Sequence, residues 1–134
     1  MTKVTAKLYN YRQSPRKVRL VADAVRGKSV AQALDVLSFI PKRAALPIQK
    51  LVASALANAK AQELATDTLI IKELMVDAGA TLYRSLPRSK GMANPIRKRT
   101  SHVVITLEEG KPKFNKARAN SNKKASTKSL APST

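Results

Sequence analysis

Residues Leu69 to Leu107 read LIIKELMVDAGATLYRSLPRSKGMANPIRKRTSHVVITL, and this stretch decides the fold. Its first arm, Leu69 to Tyr83, sets Ile70, Leu74, Val76, Ala78, Ala80 and Leu82 at a spacing of two, interrupted by Lys72. The closing arm repeats that period at Val103, Ile105 and Leu107. Alternation among β-branched residues marks a strand with one buried face. Between the arms stand Arg84, Arg88, Lys90, Arg97, Lys98 and Arg99, with no acid among them. Pro87, Gly91 and Pro95 favour turns there and resist helix. The reading is a long antiparallel hairpin over about 69–107 with its tip at 84–96. A fifteen-residue arm spans ~50 Å, whereas a compact chain of this length has a radius of gyration of ~14 Å. The hairpin therefore overhangs its support. A bare two-stranded ribbon is marginal in water, and six like charges on it repel, so anionic surroundings are expected.

Working outward, Val4 to Tyr11 alternates at Val4, Ala6 and Leu8 and offers a third strand for the hairpin base. Ser14 suits a helix N-cap, Pro15 the first helical position and Gly27 the C′ end. The intervening helix puts Val18, Val21, Ala22 and Val25 on one stripe, with Arg16 opposite and Arg19 and Arg26 on a flank. Those arginines read either as RNA contacts or as ordinary exposed charges. A second helix starts at Ser29, with Gln32 completing a capping box and Val30, Ala33, Leu34 and Leu37 facing inward. A third runs from about Lys42 to about Gln62, with Ala44, Ala45, Ile48, Leu51, Val52, Ala55, Leu56 and Ala59 on one broad side. Lys42, Arg43, Lys50 and Lys60 avoid that side. Pro47 leaves two readings, a distorted first turn or a helix that begins near Pro47. Asn58 is either a polar contact or simply exposed. The fold class expected is α+β: three helices packed on a small three-stranded antiparallel sheet, with a long protruding β-hairpin. Residues 1–110 form that domain. Residues 111–134 carry seven basic residues, no acid and one aromatic, and are expected to be a basic disordered tail.

The chain has 134 residues, 26 Lys and Arg against 8 Asp and Glu, and a net charge of +18. A threefold excess of one sign exceeds what solubility needs and points to a phosphate polymer. Cysteine is absent, which excludes disulfides and thiolate metal sites. No apolar run approaches the ~20 residues of a membrane span, and the N-terminal residues lack a signal-type segment, so a cytoplasmic protein is expected. His102 is the one histidine; it reads as a catalytic or phosphate-binding imidazole, or as a surface strand residue, and the second reading carries more weight. General acid–base chemistry needs a partner in reach, and no acid lies between Arg84 and Thr106. The four glycines form no phosphate loop. No catalytic residue, metal ligand or cofactor is expected.

Three separated segments carry a family resemblance: Arg12 to Leu34 (RQSPRKVRLVADAVRGKSVAQAL), Lys50 to Ala59 (KLVASALANA) and Leu86 to Leu107 (LPRSKGMANPIRKRTSHVVITL). In that order the chain resembles the large-subunit ribosomal protein family numbered twenty-two, over about Val4 to Leu107. Met92 and Asn94-Pro95 at the tip depart from the more basic or polar sequence of the family. The resemblance implies binding of large-subunit rRNA from several of its domains, support of early assembly, and a hairpin tip in the wall of the nascent-chain exit tunnel, near where macrolides bind. The globular part would lie near the tunnel exit. Implied partners are large-subunit rRNA, neighbouring large-subunit proteins and the nascent polypeptide, with no membrane. Candidate RNA contacts are Arg12, Ser14, Arg16, Lys17, Arg19, Arg26 and Lys28 on the body. On the hairpin they are Arg84, Arg88, Lys90, Arg97, Lys98, Arg99, Thr100 and His102. The competing reading is a nucleoid-type DNA-binding protein whose basic β-arm enters the minor groove. Such proteins are usually dimers, and no strong dimer face is legible. An RNA-acting enzyme lacks acid–base pairs.

Overall fold

The structure, a computed structural model, describes residues 3–110. The basic tail expected over 111–134 lies outside the described residues. In chain order come strand β1 (Lys3–Tyr11), helices α1 (Pro15–Val25), α2 (Val30–Phe39) and α3 (Ala45–Ala61), then strands β2 (Leu69–Ala78), β3 (Leu82–Pro87), β4 (Ala93–Lys98) and β5 (Ser101–Glu109). The α+β expectation holds. The body sheet is antiparallel in the order β1-β5-β2, and β3 pairs with β4 as a separate ribbon. Strand β5 is central because it buries Val103, Ile105 and Leu107 completely while bonding a neighbour on each side.

The helices cover one face of this sheet through the stripes read from the sequence. Val18, Val21, Ala22 and Val25 of α1 are all buried, as are Val30, Ala33 and Leu37 of α2. Leu34 and Leu56 are only partly buried. The small residues Ala44, Ala45, Ala55 and Ala59 let α3 lie close against β1 and α2. Pro47 is accommodated without distortion. The helix begins at Ala45, so Pro47 stands in the first turn, where a missing N–H has no intrahelical acceptor to lose. Ser29 does cap α2, its hydroxyl accepting from the Gln32 N–H at 3.4 Å. Gly27 follows α1 with φ +78°, the left-handed conformation that favours glycine at that place.

The long first arm differs from its reading in two respects. Its alternation is not continuous: the pairing with β5 shifts between Ile71 and Glu73, so Leu69 and Ile71 point inward before the bulge and Leu74 and Val76 after it. Ile70 is therefore only partly buried. One extra residue in a strand turns every later side chain to the other face, and Lys72 marks the place. Secondly, the arm is broken. Strand β2 ends at Ala78 and pairing resumes at Leu82. At this joint the Gly79 N–H donates to the Thr100 carbonyl at 3.0 Å, and Thr100 Oγ1 donates to the Ala80 carbonyl at 2.8 Å. A Cβ on Gly79 would collide with Thr100 Oγ1 and stand 2.9 Å from His102 Nε2. Beyond the joint every residue from Leu82 to Arg99 is exposed, and β3 and β4 pack on each other rather than on the body.

The outer edge of β2 is bonded to α1 and the turn after it. Gly27 N–H donates to the Ile71 carbonyl and Ile71 N–H to the Lys28 carbonyl, both at 2.9 Å. Arg26 Nη2 reaches the Leu74 carbonyl at 2.8 Å, and Arg19 Nη2 the Val76 carbonyl at 2.9 Å. On the far edge, Asn58 Nδ2 donates to the Thr5 carbonyl of β1 at 3.3 Å, so Asn58 is a polar contact.

Candidate nucleic-acid interface

Where β1 runs into α1, the chain passes Arg12, Gln13 and Ser14 on the side toward the root of the hairpin. The turn that leads into α3 brings up Arg43, and Lys17 extends from the first turns of α1. From the ribbon come Arg84 on β3, Arg97 and Lys98 on β4, and Arg99 at the joint. Together these nine residues line an open cleft of about 780 Å³ between body and arm. Seven of them are cationic and none is acidic. Charges that face one common space are screened by salt only over ~8–10 Å. The seven cations therefore repel one another when the cleft holds only water and dilute salt. The N-terminus of α1 adds partial positive charge on the same side.

The loops that carry these cations are tied together. The Tyr11 hydroxyl donates to Gln13 Oε1 at 2.7 Å, with the Arg43 carbonyl 3.3 Å away. Ser14 sits at the N-cap, and its carbonyl accepts from the Lys17 N–H at 3.0 Å. Its hydroxyl makes no capping bond, contrary to the usual duty of an N-cap serine, and lines the cleft instead.

Of the fifteen candidate contacts, the cleft gathers Arg12, Ser14, Lys17, Arg84, Arg97, Lys98 and Arg99. Arg16 is exposed on α1 away from it. Arg19 and Arg26 have internal partners on β2, and Arg26 also pairs with Asp23 at 2.7 Å. Lys28 serves the same edge through its carbonyl. Arg88 and Lys90 lie at the exposed tip, where the Arg88 N–H donates to the Met92 carbonyl at 2.7 Å and Lys90 turns with φ +58°. Thr100 is buried at the joint. His102 Nδ1 accepts from the Asn10 N–H at 3.1 Å, and its ring meets Tyr9 edge-on at 5.5 Å. That bond holds the irregular end of β1, where Asn10 has φ +54°.

Gln13 and Arg43 belong to the cleft but were not among the candidates. The sequence shows that Arg43 avoids the apolar side of its helix; it does not show that the α2–α3 turn swings back to the hairpin root. Among the described residues no three His, Cys, Asp or Glu side chains come together as metal ligands. The ion pair Lys72–Glu108 lies on the body sheet, outside the cleft. There the hydrogen bond from Lys72 holds the Glu108 carboxyl below its ordinary range, against the opposing effect of burial.

Comparison with known proteins adds a second line of observation. Residues 6–108 match the family described as ribosomal protein L22p/L17e. The large ribosomal subunit protein uL22 of Deinococcus radiodurans is 54% identical over 99 residues, covering 73% of this chain and 74% of that protein. The protein of the same name from Desulfitobacterium hafniense strain Y51 is 52% identical over 101 residues, 75% of this chain and 89% of its own. That of Akkermansia muciniphila is 49% identical over 104 residues, with coverages of 76% and 93%.

Proposed function

The chain belongs to the ribosomal protein L22p/L17e family and is a structural constituent of the large ribosomal subunit of the cytoplasm, and within that role we propose that its body grips large-subunit rRNA through the cationic cleft while the arm lines the nascent-chain exit tunnel. The observation that carries the first half is the cleft itself: seven cations from body and arm, without an acid, around a space open to solvent. Arg and Lys neutralise phosphates there, which fixes position without reading sequence. RNA of irregular shape is recognised through its backbone and its splayed bases rather than by groove edges. Neighbouring large-subunit proteins complete the surroundings. The chain acts by holding RNA in place.

The second half rests on the arm. Residues 82–99 are all exposed, so the protein alone buries none of them. The tip presents Lys90, Met92 and Asn94-Pro95 at the furthest point from the core, suited to a wall that a passing polypeptide touches. Early assembly support follows the same logic, since a body bound to one RNA segment leaves the arm free to organise others around it.

The test is a titration of RNA binding against salt. With on the order of ten phosphate contacts, log affinity should fall against log salt with a slope of roughly −7 to −9. A slope near zero overturns the electrostatic reading. A photoreactive residue placed at Met92 should cross-link to a nascent chain in translating ribosomes, and no cross-link at any chain length overturns the tunnel assignment.

A further inference from the structure

The arm leaves the body through a joint that is thinly held. At Gly79 to Thr81 and Arg99-Thr100 the two sheets part, and two hydrogen bonds, Gly79 N–H to Thr100 and Thr100 Oγ1 to Ala80, connect the strands across the break. Beyond it no side chain of the ribbon is buried. The arm thus buries no apolar side chain that would set its direction relative to the helices. Groups from both parts face a common space in the cationic cleft, and there they repel each other.

We propose that the cleft is a binding site for an RNA sugar–phosphate backbone, and that this backbone braces the arm against the body. The inference rests on the RNA-binding reading above and adds what the RNA does to the protein. Phosphates entering between Lys17 and Arg43 on one wall and Arg84 and Arg97 on the other convert repulsion across the cleft into attraction on both sides. The cleft is open to solvent and carries no acid, which suits a polyanion. Gln13 and Ser14 offer uncharged polar groups between the cations, suited to a 2′-hydroxyl or a non-bridging phosphate oxygen. Arg43 is the decisive residue, since it belongs to neither the hairpin nor α1 and closes the cleft from a third segment.

The absence of cysteine allows clean labelling. Spin labels on Ala53→Cys, an exposed site on α3, and Ser85→Cys, an exposed site on β3, report the distance from body to arm in the full chain by pulsed electron paramagnetic resonance. The free protein should give a broad distribution. Saturation with in vitro transcribed large-subunit rRNA should collapse it to a single narrow peak. In the Arg43→Ala and Lys17→Ala backgrounds, saturated with the same rRNA as verified by sedimentation, the narrow peak should be lost. Both side chains are exposed, so thermal melts should match the parent, and either variant suffices. A peak that is already narrow without RNA overturns the brace, as does one that narrows fully in both variants. Binding without narrowing in the parent overturns the brace alone, whereas absence of rRNA binding overturns the RNA-binding reading beneath it.

Discussion

Gly79→Ala tests the joint directly. Gly79 does not need glycine for its backbone angles; it needs the missing side chain. An added Cβ would collide with Thr100 Oγ1 and lie 2.9 Å from His102 Nε2. The His102 ring cannot easily withdraw, because Nδ1 is held by the Asn10 N–H. Thr100 must therefore rotate, which breaks its 2.8 Å bond to the Ala80 carbonyl. A partly buried hydrogen bond contributes about 0.5–1.5 kcal/mol, and overpacking of a closed site costs about 1–3 kcal/mol. Together these give about 1.5–4.5 kcal/mol, and about 1.5–3 kcal/mol once the crowding relieved by the broken bond is allowed for. For a folded unit of about a hundred residues this lowers Tm by about 6–15 °C. The assay is a double-mutant cycle by thermal melting. Thr100→Ala alone should cost about 1 kcal/mol. Combined with Gly79→Ala it should cost clearly less than the sum of the single changes, because the colliding hydroxyl is gone. If Gly79→Ala melts with the parent, or the two changes add, the close packing inferred at the joint is refuted.

Other perturbations separate folding from RNA binding. Deleting Ser85 to Asn94 should leave the body folded, with stability within about 1 kcal/mol, because every removed residue is exposed; a deletion variant that fails to melt cooperatively would show that the tip belongs to the core. Arg19→Ala should destabilise by about 1–2 kcal/mol through its lost bonds to Val76. Arg12→Ala should leave Tm unchanged and reduce the salt slope of RNA binding by about 1; equal effects of the two on Tm would sink that division of labour. Glu108 has a folded pKa held below its ordinary value, so its pairing with Lys72 contributes stability above the unfolded value of ~4.3 and loses it as pH falls through the folded value. The stability gap between the parent and Glu108→Gln should be constant above pH ~5 and shrink below ~4; a gap that does not change with pH excludes the linkage.

The helices were legible because each buries a stripe against a neighbour at helical spacing, and tertiary structure did nothing to override it. The stripe Val18, Val21, Ala22 and Val25 is a local pattern with a local cause. The first arm was legible as strand and misread in phase, because a bulge is set by pairing with β5 rather than by the residues around Lys72. The cations were read from composition with the right sign and mixed roles. Arg12 and Lys17 face the cleft, while Arg19 and Arg26 turn toward β2, although both kinds flank the same helix or lie near its start. Charge alone does not separate the two cases. Only the position of β2 beside α1, fixed by chain folding between residues separated by about fifty positions, decides whether a guanidinium meets a protein carbonyl or solvent. Arg43 was missed for the same reason, since its neighbours come from elsewhere in the chain.

The bonds along the outer edges of β1 and β2 bear on what happens to copies made in excess of available RNA. An edge strand with free N–H and C=O groups is a template on which another chain can zip up and start an aggregate. Here Arg19, Arg26, Gly27 and Lys28 occupy the β2 edge, and Asn58 occupies part of the β1 edge. The β3–β4 ribbon also leaves edges open to such pairing, and its guards are of another kind: Pro87 and Pro95 lack the donor a new strand would need, and six basic side chains repel a second copy of themselves. Two arginines that look like surplus positive charge thus act as blocking groups for their own sheet, and the ribbon keeps its polar edges apart by proline and electrostatics.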